Sequence, residues 1–231
     1  MLDLKQNIIM RMNKIKAIIF DMDGVIFNTE NLWRDGDRLA NIKYNLDLND
    51  DYRKSLCGKS EELIKLEFKN MFPNLNVDEY RKYIHDYVNN EIDNNHFEIK
   101  EGFLELIDYL KNNNYKIALA SSSNRSRIEK LFKLKNINLD IFDYIVTGDE
   151  VGKLGKPNPY IFNLVSKYFN IESKNIIVLE DSLNGIEASI KGGFISIMVK
   201  DLIEPNDYAI NNCNKIFDNL FEVIDYLKDI K

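Results

Sequence analysis

Short apolar runs that stop abruptly at polar clusters recur along this chain. They constrain its fold more than any other feature. The run 15–20 stops at Asp21-Met22-Asp23-Gly24, Lys116–Ala120 at Ser121-Ser122-Ser123-Asn124, and 176–179 at Glu180-Asp181-Ser182. The run 144–147 leads into a loop containing Gly155-Lys156-Pro157-Asn158-Pro159. Apolar runs of this length, bounded by polar residues, read as buried strands. Helical patterns alternate with them at 103–112, 126–134, 159–169 and 183–191, followed by strands at 195–199 and near Ile216 and a last helix at 220–228. This alternation predicts an α/β fold, a Rossmann-like parallel sheet core with helices on both faces. All strands of such a sheet point the same way, so their carboxyl ends share one rim, where ligands bind.

Between residues 33 and 97 the pattern changes. Leu56, Leu63, Ile64, Leu66 and Phe68, then Tyr80, Tyr83, Ile84, Tyr87, Val88 and Ile92, fall at helical spacing, with Pro73 as an interruption and no β-branched strand run. About four helices forming an inserted α-helical cap are expected there. The core domain is then 1–32 and 98–231, and the cap domain 33–97. Asn28-Thr29-Glu30 offers capping chemistry for a helix start. Residues 1–12 are expected to be a loose extension outside the fold.

The four polar clusters place carboxylates, hydroxyls and a lysine on one rim. Asp21 and Asp23 alternate with Met22, so they start on the same side of an extended chain. Two adjacent carboxylates that lose solvation repel each other, and a divalent cation is the usual remedy. This is a composition for binding metal and phosphate. The net charge of −6 argues against nucleic acid or an anionic membrane as the main partner. No apolar run approaches the roughly 18 residues that span a bilayer. The two cysteines, Cys57 and Cys213, imply no disulfide framework and suit a reducing compartment. A cytoplasmic monomer acting on a small phosphorylated metabolite is expected, with no nucleic acid and no membrane.

In order and spacing, the clusters resemble the four motifs of the haloacid dehalogenase superfamily, in its phosphatase and phosphomutase branch. Asp21-Met-Asp23-Gly-Val matches the first motif, Ser121 after Lys-Ile-Ala-Leu-Ala the second, Lys156 in Gly-Lys-Pro-Asn-Pro the third, and Glu180-Asp181-Ser182 with Asn184-Gly185 the fourth. The match covers roughly 15 to 200 and is most similar in character to beta-phosphoglucomutase-like and sugar-phosphatase-like members with a helical cap. The resemblance implies Mg²⁺ as cofactor and an aspartyl-phosphate intermediate. In that scheme Asp21 is the nucleophile, Asp23 the general acid/base, Ser121 the phosphoryl-binding hydroxyl and Lys156 the neutralising cation. Asp21, Asp23 (through its backbone carbonyl), Glu180 and Asp181 would hold the metal, Glu180 either directly or through water. Ser122 and Asn124, with Trp33, Gly58 and Lys59 from the cap, are expected to contact substrate. Ser122, Ser123 and Asn124 also compete to cap the following helix.

Departures from the family pattern bear on the substrate. By register, Trp33 stands near the position of a cap-entry histidine, and Glu61 stands where phosphomutase relatives have a cap arginine. An acidic side chain there is expected to repel a second phosphate, with Lys59 as the nearby compensating cation. This favours hydrolysis of a monophosphate over the first alternative, a phosphosugar mutase. The complete motifs, with Asp21 and Asp23 both present, count against the second, a non-catalytic phosphometabolite-binding protein. Asn28 replaces a common aspartate as a capping swap, and Glu101 replaces a frequent proline, leaving the hinge less rigid. His85 and His96 are expected in packing or surface roles, and Cys57 as a small buried side chain.

Overall fold

The computed structural model of the protein describes residues 15–230. The expectation for residues 1–12 lies outside them. Strands β1 (Ala17–Phe20), β2 (Lys116–Ala120), β3 (Tyr144–Val146), β4 (Ile176–Glu180), β5 (Ile195–Val199) and β6 (Lys215–Phe217) form a six-stranded sheet in the order β3-β2-β1-β4-β5-β6. Every pairing is parallel. Alternate residues of the central strands enter two different cores, as the period of two requires. Ile18, Phe20, Ile117, Leu119, Ile177 and Leu179 face one side, while Ala17, Ile19, Ala118, Ala120, Ile176 and Val178 face the other.

Helices α5 (Phe103–Asn112), α6 (Arg125–Leu134) and α11 (Leu220–Asp229) contribute to the first core. Helix α8 (Tyr160–Phe169) covers the second with Ile161, Phe162 and Val165. Phe20 meets Phe103 edge-on at 5.7 Å and is fully buried. Truncating such a phenylalanine to alanine costs about 3–5 kcal/mol. Helix α9 (Leu183–Lys191) lies on β4 and β5. Two short helices, α7 (Gly148–Val151) and α10 (Asp207–Asn212), were not expected from the sequence. Neither is long enough to show a two-turn apolar period.

Helices α1 (Glu30–Tyr44), α2 (Asp50–Leu56), α3 (Glu61–Met71) and α4 (Val77–Asp93) make up the inserted segment. α4 packs on both α1 and α3. α1 begins at Glu30, so the expected boundary at 32/33 falls inside a continuous helix. The chain crosses between core and insert earlier, where Phe27 and Ile99 form an antiparallel bridge. Asn28 N donates to Glu98 O (3.1 Å) and Lys100 N to Ile26 O (2.8 Å). Asn28 is not a cap: its side chain accepts from Glu98 N at 2.6 Å and ties the two crossings together. Among the described residues no helix is long and apolar enough to cross a membrane.

Candidate active site

Parallel register sets the site. Phe20 is level with Leu119 on one side and Leu179 on the other, so Asp21 leaves β1 beside the ends of β2 and β4. Asp21 N donates to Leu179 O (3.0 Å) and Ser121 N to Val146 O (3.1 Å), holding both loops to the rim. Lys156 arrives from the loop after β3 and is fully buried. Its Nζ donates to Asp21 Oδ1, to Glu180 Oε1 (2.5 Å) and to Ala120 O (3.3 Å), joining three strand ends. Burial alone would lower the Lys156 pKa, but the Asp21 and Glu180 carboxylates outweigh it and raise it, keeping the ammonium charged.

Glu180 is also fully occupied. Its Oε2 accepts from Asp181 N (3.1 Å), Ser182 N (3.1 Å) and Ser182 Oγ (2.9 Å). A Cβ on Gly185 would collide with this carboxylate, which explains a glycine inside the first turn of α9. Ser182 caps α9 by accepting from Gly185 N at 3.0 Å. The cap role is therefore filled, and Asp181 is left free of it. Its Oδ2 is buried with no hydrogen-bond partner.

The residues fit a divalent cation. Asp21, Glu180 and Asp181 each offer an oxygen within 4.8 Å of the others. With Lys156 among them, two negative charges stay uncompensated. Burial pushes Asp21 up to about 7 despite Lys156, and burial, with help from Glu30 and Glu180, also holds Asp181 well above the usual carboxylate range. Glu30, buried beside Asp23, is pushed up to about 8. An all-oxygen, strongly acidic donor set suits a hard cation such as Mg²⁺. Gly24, at φ +80°, keeps the approach open, because a Cβ there would run into the Asp181 carboxylate.

The Asp23 side chain does not join this cluster, so only its backbone carbonyl remains for the expected metal role. Arg127 clamps the carboxylate from both sides, Nη1 to Oδ2 and Nη2 to Oδ1, each at 2.7 Å. Thr29 Oγ1 and Ser123 Oγ donate to it as well. Burial pushes Asp23 up, but Arg127 and these hydroxyls more than reverse the effect and hold it below the usual carboxylate range.

Ser121 is buried, and its Oγ accepts from Ser123 N at 3.1 Å. That contact leaves its own proton to donate. Asn124 caps α6, its side chain accepting from Arg127 N at 2.9 Å. Ser122 Oγ donates to Gly58 O at 2.8 Å and so reaches the insert.

Above the rim lies a cavity of about 640 Å³, walled by both core and insert. Trp33, Gly58, Lys59, Ser122 and Asn124 all line it. Lys59 is not a free cation, because Glu67 holds its Nζ at 2.7 and 3.0 Å. Glu61 is not a lone acid either. Arg81 grips it through Nε (3.0 Å) and Nη2 (2.8 Å), and His85 Nε2 lies 3.0 Å from its Oε2. Burial raises Glu61, yet His85 and Arg81 overcome this and hold it at about 2. His85 lines the cavity instead of serving only packing, its ring 5.1 Å edge-on from Trp33. Cys57 is half-buried in the same wall, its thiol pushed up by burial and by Glu30.

Arg127 and Arg81 were thus not singled out from the sequence, and His85 and Glu30 were read only as a packing or surface residue and as part of a helix start, although weak signals existed. Arg127 sits in the first turn of α6, where the helix dipole disfavours a cation unless an anion faces it. Arg81, His85 and Asn89 recur every fourth residue of α4, a polar stripe beside the buried Tyr80, Ile84 and Val88.

Residues 18–199 match the model of the family described as haloacid dehalogenase-like hydrolase. The phosphorylated carbohydrates phosphatase of Thermotoga maritima is 29% identical over 225 residues, which cover 91% of this chain and 100% of that protein. A Saccharomyces cerevisiae protein named Probable pseudouridine-5'-phosphatase is 31% identical over 187 residues, or 76% of this chain and 78% of that one. The crystal structure of beta-phosphoglucomutase from Clostridium difficile is similar at a TM-score of 0.76 and 27% identity, covering 94% of this chain and 96% of that chain. The matched segment runs from β1 through β5 and carries all four strand-end clusters. The chain belongs to the haloacid dehalogenase-like hydrolase family.

Proposed function

We propose that this chain is a Mg²⁺-dependent phosphatase that hydrolyses a small phosphomonoester, a sugar phosphate or similar metabolite, through a phosphoryl group carried on Asp21. The observation that carries this reading is the setting of Asp21. Its carboxylate accepts from Lys156 and clusters with Glu180 and with Asp181, whose Oδ2 is buried without a partner. The similar proteins named as phosphatases support it.

Asp21, Asp181 and the Asp23 carbonyl would hold Mg²⁺. Glu180, whose oxygens already serve Lys156 and the 181–182 loop, would stand behind them. The cation supplies charge neutralisation of the phosphate. An Asp21 oxygen attacks phosphorus and the ester P–O bond breaks; Asp23, which takes up a proton from solvent once substrate has displaced Arg127 from one of its oxygens, gives that proton to the leaving oxygen. Water then attacks the same phosphorus and Asp23 takes its proton, so inorganic phosphate leaves and Asp21 is restored. Ser121 donates to a phosphoryl oxygen, and Lys156 balances the developing charge. Arg127 occupies both Asp23 oxygens in this structure, so substrate entry has to release one of them.

The test is phosphate release from a panel of sugar phosphates, nucleotides and short-chain phosphates with Mg²⁺. Asp21→Asn keeps shape but removes the nucleophile, and the rate is expected to fall by roughly 10³-fold or more. EDTA is expected to do the same. Near wild-type turnover in either case refutes the mechanism. The likeness to beta-phosphoglucomutase supports a second reading, with a sugar hydroxyl replacing water. Given β-glucose 1-phosphate and a trace of the 1,6-bisphosphate, hydrolysis requires free phosphate to outpace glucose 6-phosphate.

A further inference from the structure

The cavity wall opposite the strand ends is built around a buried arginine whose charge is already matched. Arg81 is 4% exposed. Glu61 takes its Nε and Nη2, and Asp37 Oδ1 lies 3.6 Å from Nη1, so carboxylates flank the guanidinium. Other cations on the wall are engaged too: Arg127 by Asp23, Lys59 by Glu67 and Lys130 by Asp93 (2.7 Å). Arg53 has partners of its own. A substrate bringing a second anion into this part of the cavity meets no unpaired one of these cations. It meets the Glu61 carboxylate, half-buried in the same wall.

We propose that Glu61 is a specificity-determining residue: it fills the recess formed by Arg81 and His85 with the protein's own carboxylate, so the site takes monophosphates with an uncharged, hydroxylated remainder and rejects those bearing a second phosphate. The inference rests on the phosphatase reading for the first phosphate and deepens it. Glu61 has capacity left for a hydroxyl. A carboxylate offers about four lone-pair sites, and Arg81 and His85 use three of them. Trp33 forms part of the same wall and supplies apolar area for a carbon skeleton. A second phosphate instead has to displace Glu61 from a buried arginine or lie against it as a like charge. Either route carries an electrostatic penalty that partial burial enlarges.

The experiment measures binding, so it does not depend on turnover. Asp21→Asn protein, with Mg²⁺, is titrated calorimetrically with sugar and polyol monophosphates of three to six carbons and with the matching bisphosphates. With Glu61 intact, the monophosphates are expected to bind at least about tenfold more tightly than the bisphosphates. Adding Glu61→Gln is expected to shift that ratio by about tenfold or more toward the bisphosphates, since one negative charge leaves the wall. Glu61→Asp, which keeps the charge, is expected to retain the rejection. A bisphosphate preference with Glu61 intact, an unchanged ratio in Glu61→Gln, or no binding across the panel overturns the proposal. If Glu61→Gln fails to fold, the ratio with Glu61 intact decides alone. Absence of discrimination with Glu61 intact, or an unchanged ratio in Glu61→Gln, while the wild-type enzyme releases phosphate, would refute only Glu61's role. Discrimination in binding without phosphate release from any wild-type reaction would refute the phosphatase reading instead.

Discussion

At Asp37 burial and pairing pull in opposite directions, and burial wins. The carboxylate is pushed up to about 6 although Arg81 and Arg53 favour its charged form, and its Oδ1 finds no hydrogen-bond donor. A carboxylate whose folded value exceeds its unfolded value near 3.8 contributes stability that is full below that value and lost as pH rises through about 6. Glu61 has the opposite sign. Held at about 2 by His85 and Arg81, it contributes stability above about 4.5 that is lost as pH falls toward 2. Asp37→Asn is therefore expected to raise the melting temperature at pH 8 by a few degrees, with the difference closing by pH 4. The upward shift of about two pH units corresponds to at most roughly 3 kcal/mol. Scanning calorimetry at pH 4, 6 and 8 checks this. An unchanged or lower value at pH 8 would mean that the contact with Arg81 outweighs desolvation.

Among the elements, the link from α2 to α3 is the part of the insert most directly fastened to the core. Asn184, in the first turn of α9, donates to Ser55 O (2.9 Å) and Cys57 O (2.7 Å). Ser122 reaches Gly58 O, and Ser60 Oγ donates to Gly152 O at 3.0 Å. Core loops after β2, β3 and β4 thus hold one short segment over the cavity. Asn184→Ala leaves two carbonyls without their donor, which costs on the order of 1–3 kcal/mol. If that cost is felt locally, amides of residues 54–60 are expected to exchange about tenfold faster or more, while β1 and β4 amides keep their protection. Acceleration spread evenly over the sheet would instead show that the link is not an independent opening unit.

For the whole molecule, the insert joins the sheet through two chain crossings that pair with each other. The Phe27–Ile99 bridge and the bonds among Ile26, Asn28, Glu98 and Lys100 form a short antiparallel ladder. Lys100 Nζ then anchors that ladder to Asp201 at the end of β5 (2.6 Å). Paired crossings of this kind are natural hinges for moving a helical unit over a strand-end site. Beryllofluoride with Mg²⁺ is expected to add exchange protection at 26–29 and 97–100 as well as at the strand-end loops. Protection restricted to those loops would rule out hinge movement. Trp33 and its neighbours lie inside α1, so the hinge proposed here sits before them, at the paired crossings.

Much of the fold and half of the site were legible because their signals are local. A strand buried on both faces is a continuous apolar run, and a parallel sheet places whatever follows each run on a common rim. Asp21, Ser121, Lys156 and Asp181 could therefore be named from position in a motif. The ion pairs that shape the rest of the cavity have no such signature. Arg127 meets Asp23 across 104 residues, and Arg81 meets Glu61 across 20, from a different helix. A lone arginine in a helix reads as solvated surface until folding removes the water around it. Only then does its charge demand a partner, and only the tertiary structure decides which carboxylate answers. In the same way, the sequence alone placed an acid at position 61. The packing of α3 against α4 determined that this acid faces a buried guanidinium instead of open solvent.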